Sequence, residues 1–230
     1  MKHLHLSLSW FSLVTLTTFL FSTTSCSKKG DDKGGDNNPN ETVIFTENFD
    51  NASSAFWKPG TSGAAVMTVS GGFFSITYGG TSAMQYKSWA TQNLFGANDK
   101  KQAVEIAQQH TAGHEYDKCG LIFSVVDANY ILGFQIGDKD FRVYSTINGT
   151  TKQLIAWTPS SAIKGALNEV NKLRVALADN KVTFYINGTE VAKMDAGGLT
   201  SLDYVGFGMA KGSTPETTYK IDYVKAITLK

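Results

Sequence analysis

The sequence predicts an all-β domain in which two antiparallel sheets pack face to face. Roughly a dozen short segments alternate between apolar and polar residues. Turns rich in Gly, Asn and Asp separate these segments at regular spacing, and helical periodicity is confined to brief pieces near 93–97 and 160–167. This pattern is typical of an antiparallel sandwich and not of a fold in which helices alternate with parallel strands.

The N-terminal 25 residues have the pattern of a signal peptide. Lys2 supplies a positive charge, and an apolar run from Leu8 to Phe21 is too short to span a bilayer comfortably. The segment Thr23-Thr24-Ser25-Cys26 resembles the lipobox of bacterial lipoproteins. That resemblance implies cleavage before Cys26 and acylation of Cys26, with an ordinary secretory signal as the alternative.

Residues 26–42 form the predicted flexible tether, and residues 43–230 form the predicted sandwich domain. The tether is rich in Gly, Asn, Asp and Lys and has too few apolar side chains to fold. Its charged start, Ser27-Lys28-Lys29-Gly30-Asp31-Asp32, resembles that of surface lipoproteins of Bacteroidetes-type bacteria. We therefore expect an outer-membrane protein that contacts the membrane only through its lipid anchor.

The composition of the chain argues against nucleic acid as a partner. The 230 residues contain 21 Lys and Arg against 20 Asp and Glu, without a basic stripe. If Cys26 carries lipid, Cys119 is the only remaining cysteine, and its position on an apolar strand face predicts a buried thiol.

Two predicted strands at the centre of the domain, within Lys118–Gly137, organise the sheet. Cys119, Leu121, Phe123 and Val125 alternate onto one face of the first strand, and Asp127-Ala128-Asn129 is the expected turn. The second strand repeats the alternation at Tyr130, Leu132, Phe134 and Ile136. The other predicted strands are Thr42–Asp50, Val66–Val69, Phe73–Tyr78, Met84–Trp89, Gln102–Gln109, Phe141–Ile147, Thr150–Trp157, Val170–Ala178, Lys181–Ile186, Thr189–Met194, Tyr204–Ala210 and Tyr219–Leu229.

An ordered set of short motifs resembles the concanavalin A-like, laminin-G-like jelly-roll superfamily. The motifs are Phe45–Asp50 with Trp57, Gly120–Phe123 with Asp127 and Asn129-Tyr130, Asn171–Val175, Val182–Gly188 and Ile221–Val224. The resemblance covers about Val43 to Leu229 and implies a two-sheet jelly roll whose concave face often binds glycans. Because this fold carries lectins, hydrolases and adhesive modules, the resemblance leaves the function open.

The resemblance suggests two hydrolase hypotheses. Family 16 glycoside hydrolases of this fold place acids as Glu-x-Asp-x-x-Glu on one strand, but here Glu105 is followed by Ala107 at the second acidic position. The 3-keto-disaccharide hydrolase group is similar at the level of the fold, without a catalytic residue that can be assigned. His110 and His114 lie in a Gly-containing connection, where a solvated loop is expected in place of a metal site.

Calcium is the one cofactor that the resemblance implies. Jelly-roll binding modules often hold a structural Ca²⁺ near the chain ends through carboxylate and carbonyl oxygens. The acids in the matching regions are Glu47, Asp50 and Asp222, on first and last strands that we expect to pair. The alternative is that Asp222 only caps a turn.

The hairpin from Asp140 to Trp157 carries the predicted glycan-binding face. A two-residue turn at Asn148-Gly149 pairs Tyr144 with Gln153 and Arg142 with Ile155, and brings Trp157 beside Asp140. Planar polar groups and aromatic rings on one face suit hydrogen bonding and stacking on sugars. The opposite face holds Phe141, Val143, Leu154 and Ala156, which we expect to face the core. The candidate binding residues are Arg142, Tyr144, Gln153, Trp157, Gln135 and Glu105, and Gln109, Ser124 and Gly120 extend the same face.

The resulting functional expectation is a cell-envelope lipoprotein whose domain binds carbohydrate without cleaving it. The first alternative is a glycoside or 3-keto-disaccharide hydrolase. The second is a structural or adhesive surface module with a protein partner.

Overall fold

The computed structural model describes residues 39–52, 54–127, 130–212 and 215–230. The predicted signal peptide, Cys26 and residues 26–38 of the tether lie outside the described residues, as do Ala128 and Asn129 of the expected central turn. In the described part of the chain, no helix has the length and apolarity needed to cross a bilayer.

Fifteen strands account for the described secondary structure. They are β1 (Glu41–Glu47), β2 (Gly60–Ser62), β3 (Ala65–Ser70), β4 (Phe73–Tyr78), β5 (Met84–Trp89), β6 (Gln102–Ala112), β7 (Lys118–Asp127), β8 (Tyr130–Ile136), β9 (Asp140–Ile147), β10 (Thr150–Pro159), β11 (Val170–Ala178), β12 (Lys181–Ile186), β13 (Thr189–Asp195), β14 (Gly206–Lys211) and β15 (Thr217–Leu229). The alternation in the sequence predicted fourteen of them and missed β2. The two predicted helical pieces, near 93–97 and 160–167, are turns and irregular backbone.

The strands form two antiparallel sheets, which confirms the predicted sandwich. The nine-stranded sheet has the order β13-β12-β11-β6-β15-β4-β3-β2, and β1 adds to β15 beside β4. The six-stranded sheet has the order β10-β9-β8-β7-β14-β5. Pairing of the first and last strands is as predicted, with Glu41 opposite Leu229 and Glu47 opposite Val224.

The core lies between the two sheets and is rich in aromatic rings. Phe123 and Phe134 of the six-stranded sheet pack against Phe184 of the nine-stranded sheet, with ring centres 5.7 and 5.2 Å apart. Trp57 is fully buried and donates its indole N–H to the Val205 carbonyl at 3.2 Å. Such rings bury large apolar areas, so the packing fixes how the two sheets face each other.

A register shift in β7 changes one predicted orientation. Cys119, Leu121 and Phe123 face the core as expected. The ladder to β8 shifts between Ile122 and Ser124, so Val125 joins Ile122 and Ile131 in an apolar cluster on the outer face. The prediction that Val125 faces the core is therefore wrong, because a bulge exchanges the two faces of a strand.

Candidate functional site

The outer face of the six-stranded sheet carries most of the predicted binding residues. One row across neighbouring strands consists of Arg142, Gln135, Gly120, Gly208 and Lys87, each paired with the next. Directly opposite residues of an antiparallel sheet point to the same side, so these five positions share one surface. The two adjacent glycines add no side chain to the middle of the row, which leaves room for side chains of neighbouring positions.

Arg142 is held in place by Gln135. The Arg142 Nε and Nη2 groups donate to Gln135 Oε1 at 3.0 and 2.8 Å. The guanidinium carbon lies 4.8 Å from the centres of both the Tyr144 and the Trp157 rings. Partial burial lowers the pKa of Arg142 from its ordinary value, and the neighbouring Tyr144 partly offsets that effect. The result is a guanidinium held against two aromatic rings, whose Nη1 has no hydrogen-bond partner among the described residues.

Tyr144 lies beneath this arrangement and is only 4% exposed. A methyl group at Gly133 would overlap its ring, and one at Gly208 would lie 2.9 Å from its hydroxyl. The ring therefore lies flat on two glycine positions of the sheet. Tyr144 cannot offer a free stacking surface to a sugar, which corrects its predicted role as a direct contact.

Two register shifts in the β9–β10 hairpin move the residues beyond Gln153. Gln153 pairs with Tyr144 as predicted and is exposed. Ile155 then pairs with Val143 and not with Arg142, and Pro159 stands opposite Asp140 where Trp157 was expected. Leu154, predicted to face the core, is 39% exposed. Strict alternation fails in β10 because each bulge adds a residue that has no partner in β9.

Glu105 belongs to the opposite side of the molecule. Strand β6 lies in the nine-stranded sheet, between β11 and β15. The Glu105 carboxylate accepts a hydrogen bond from the Tyr223 hydroxyl at 2.6 Å. The prediction that Glu105 and Gln109 extend the Arg142 face is therefore wrong, because sequence alternation gives the face of a strand but not the sheet that receives it.

Lys87 is a member of this face that sequence reasoning missed. It lies on β5, four strands away from Arg142, and donates to the Thr146 hydroxyl at 2.8 Å. Its ammonium lies 5.8 Å from the Tyr144 ring centre. Burial lowers the pKa of Lys87, and the charge of Arg142 lowers it further. The only sequence signal was its outward position in the predicted strand Met84–Trp89.

Carboxyl groups border this face at one end. Lys118, the first residue of β7, lies 4.9 Å from the Trp157 ring centre and 3.1 Å from Asp140 Oδ1. Asp138 lies in the adjoining turn between β8 and β9. Burial raises the pKa of Asp138, and the charge of Glu115 raises it further. The charges of His110 and Lys118 oppose this rise.

A hollow of about 460 Å³ opens at the same end. Its walls are Ala83, Gln85, Tyr116, Ala210, Lys211 and Gly212. Ala210 and Gln85 continue the row that starts at Lys118. The hollow therefore joins the outer face of the six-stranded sheet to the loop that carries Glu115.

His110 lies at this end too, within β6 and not in the solvated loop that was expected. It stacks on Tyr219 with ring centres 4.4 Å apart. Its buried Nε2 has no hydrogen-bond partner among the described residues. Burial lowers the pKa of His110, while Asp138 and Asp117 oppose that effect. A mainly neutral imidazole results near neutral pH.

The three acids predicted to hold calcium do not gather into one group of carboxylates. Both carboxylate oxygens of Glu47 accept hydrogen bonds, from the Phe49 backbone N–H at 2.9 Å and the Ser54 hydroxyl at 2.8 Å. Among the described residues, no group of three or more His, Cys, Asp or Glu side chains is placed to hold a metal ion. Glu47, Asp50 and Asp222 therefore do not form a three-carboxylate site, and calcium held by one of them with carbonyl oxygens stays a prediction.

Comparison with known proteins identifies the fold. No protein-family model and no curated protein matches the chain. An endo-acting O-glycanase from the human gut microbiota matches with a TM-score of 0.60 and 13% identity, over 82% of this chain and 100% of that one. A family 16 glycoside hydrolase of Bacteroides ovatus, solved with an oligosaccharide product, matches with 0.57 and 10%, over 80% and 100%. The laminarinase catalytic domain of Thermotoga petrophila matches with 0.53 and 10%, over 83% and 98%.

These structural relatives contradict the main functional expectation. All three are named for cleaving glycans, which overturns the prediction of a domain that binds carbohydrate without cleaving it and favours the hydrolase alternative. At 10–13% identity the similarity itself establishes architecture. The chain has the concanavalin A-like jelly-roll fold.

Proposed function

We propose that this domain hydrolyses glycosidic bonds in a glycan that lies along the outer face of the six-stranded sheet. The observation that carries the proposal is that Asp138, in the turn between β8 and β9, has its pKa raised by burial and by Glu115, in the loop between β6 and β7. A hollow of about 460 Å³, lined in part by Tyr116 next to Glu115 in the chain, gives room for a sugar ring. The glycan-cleaving relatives add support at the level of the fold.

The two carboxyl groups would divide the chemistry of glycoside cleavage. Hydrolysis requires one carboxylic acid to protonate the departing oxygen and one carboxylate to act as nucleophile or base. Burial and the nearby Glu115 raise the pKa of Asp138, so Asp138 keeps its proton to a higher pH and is assigned as the acid. Glu115 is exposed and is assigned as the carboxylate.

The neighbouring residues position the substrate and the acid. Trp157 is half-buried and its ring borders Lys118, so the ring edge and the Arg142 Nη1 group can contact a bound sugar. Gln153 is exposed beside them and supplies an amide. The positive charge of Lys118 opposes the rise in the Asp138 pKa and so limits it.

The test is release of reducing ends from a panel of neutral and acidic polysaccharides by the purified domain. We expect Asp138→Asn and Glu115→Gln each to reduce the rate at least about 100-fold. Glu190→Gln, on the exposed hairpin strand β13, is the matched control and is expected to cleave at the wild-type rate. Absence of products from every polysaccharide, or wild-type rates in both carboxyl variants, would contradict the proposal.

We also propose that the domain is anchored to the cell envelope by lipid on Cys26. The support is the lipobox-like segment at 23–26 and the polar tether that follows it. Metabolic labelling with a palmitate analogue is expected to mark the wild-type protein and to leave Cys26→Ser unlabelled. Equal labelling of both proteins would exclude this anchor.

A further inference from the structure

We propose that the surface between Arg142 and Lys87 binds the carboxylate or sulfate group of an acidic sugar, so the substrate is an anionic polysaccharide. This inference deepens the proposed function. The statement that the anionic polysaccharide is cleaved rests on that proposed function. It begins from one geometric fact: two cations on distant strands of the same face of the six-stranded sheet converge on a single ring.

The convergence follows from the order of the strands. Arg142 on β9 and Lys87 on β5 are separated by β8, β7 and β14, which puts their backbones roughly 19 Å apart at the usual strand spacing. The side chains close most of that gap. The Arg142 guanidinium carbon lies 4.8 Å and the Lys87 ammonium 5.8 Å from the centre of the Tyr144 ring. Gly208 has no side chain of its own, and the Tyr144 hydroxyl lies over its position, so the Tyr144 ring fills the space between the two cations.

Neither cation has an acidic partner in the part of the chain that the structure describes. Arg142 donates to the amide oxygen of Gln135, and Lys87 donates to the Thr146 hydroxyl. All of these acceptors are neutral. Both cations are partly buried and each repels the other, an arrangement that costs free energy unless an anion offsets it.

The opposite outer face shows how this chain places charge elsewhere. On the nine-stranded sheet, Lys225, Glu105 and Arg174 are consecutive members of one row, so opposite charges alternate. Arg174 also forms an ion pair with Glu41 at 2.8 Å. The formal net charge of the chain is +1, so basic and acidic residues nearly balance over the chain as a whole.

The available donors match an oxyanion. Gln135 accepts hydrogen bonds from Nε and Nη2 of Arg142, so Nη1 is the remaining donor group among the described contacts. The Tyr144 and Trp157 rings hold the plane of the guanidinium in place. A planar, pre-oriented guanidinium suits carboxylate and sulfate oxygens, and a nearby ammonium adds charge without a strict geometry. A neutral sugar would leave both charges without compensation.

Direct binding measurements test this inference separately from hydrolysis. The Asp138→Asn protein, which removes the proposed acid, is titrated calorimetrically with polygalacturonate for carboxylate, dextran sulfate for sulfate and dextran as the neutral probe. We expect at least one acidic polymer to bind about tenfold tighter than dextran. Adding Arg142→Gln or Lys87→Gln is expected to remove that advantage, and the polymer that responds identifies the anionic group.

Matched controls separate a specific site from general charge attraction. Lys225→Gln and Lys193→Gln remove exposed or half-buried cations of the nine-stranded sheet and are expected to retain wild-type affinity. Melting temperatures of all variants verify that they are folded. Equal affinity for acidic and neutral polymers overturns the inference, as does an equal loss of affinity in the control variants.

The outcomes also distinguish this inference from the proposed function. Tight acidic-polymer binding that depends on Arg142 and Lys87, in a wild-type protein that releases no products, supports the site and contradicts hydrolysis. Cleavage of neutral glycans with no preference for acidic ones supports hydrolysis and overturns the inference.

Discussion

The guanidinium carbon of Arg142 lies 4.8 Å from the centre of the Trp157 ring, although the two residues are not opposite each other in a regular hairpin register. Two shifts in β10 bring them together. Without these shifts, Trp157 would stand beside Asp140, where simple alternation predicts it. The bulges therefore build the aromatic side of the Arg142 surface.

Gly133 is required by the buried position of Tyr144. A methyl group in the Gly133→Ala variant would overlap the Tyr144 ring, so the ring must move or the strand must shift. We expect a loss of about 1–3 kcal/mol in the free energy of unfolding, measured by denaturant titration. Gly79→Ala is the control, because its new methyl group would lie at an ordinary 3.8 Å from Glu216. Equal stability of the two variants would contradict this packing.

Alkaline pH should destabilise the fold in part through Tyr144. Burial raises the pKa of Tyr144 to about 12, from an ordinary value of 10.0. Its contribution to stability is present below pH 10 and is lost as the pH rises toward 12, since the unfolded phenol ionises first. We expect the melting temperature of Tyr144→Phe to fall less than that of the wild type between pH 10 and 12. Tyr116→Phe, at a side chain that is 67% exposed, should follow the wild type.

Cys119 should be inert in the folded protein. Its side chain is fully buried, and burial raises the pKa of its thiol to about 12. Because the thiolate is the reactive form, we expect a disulfide reagent at pH 8 to label Cys26→Ser protein only after unfolding in guanidinium. Stoichiometric labelling within minutes under native conditions would show that the thiol is accessible.

Asp117 should contribute strongly to stability. Its buried carboxylate accepts hydrogen bonds from the His114 N–H at 2.9 Å, the Gly212 N–H at 3.3 Å and the Thr217 hydroxyl. Asp117→Asn replaces an acceptor oxygen with a donor, so we expect a loss of about 2–4 kcal/mol in unfolding free energy. The same exchange at exposed Asp179 should change stability by less than about 0.5 kcal/mol. An Asp117→Asn variant with an unfolding free energy close to that of the wild type would contradict the hydrogen-bond assignment.

The pKa of Asp138 should respond in opposite directions to two neighbours. Glu115 raises it and Lys139 lowers it. Carboxyl titration by NMR is therefore expected to move the Asp138 midpoint to lower pH in Glu115→Gln and to higher pH in Lys139→Gln. An unchanged Asp138 midpoint in Glu115→Gln, or a shift to higher pH, would show that Glu115 does not raise the pKa of Asp138.

Local pattern predicted most strands because apolar alternation and turn residues act over a few positions. Lys181–Ile186 and Val170–Ala178 have the predicted bounds, and the Asn148-Gly149 turn gives the predicted pairing of Tyr144 with Gln153. Leu154 and Val125 were assigned to the wrong face. Their orientation depends on bulges, which arise from packing against partner strands and leave no clear local signal.

The amino-acid sequence by itself determined the two-layer antiparallel class, the strands and the outward position of Arg142, since period-two alternation encodes which side of a strand is buried. Tertiary structure alone decided that Glu105 lies on the opposite sheet, that Tyr144 lies flat beneath Arg142, and that Lys87 joins them from β5. The physical reason is that pairing between distant strands brings together residues far apart in the chain. Glycines on neighbouring strands, such as Gly133 and Gly208, then leave the space in which the Tyr144 ring lies.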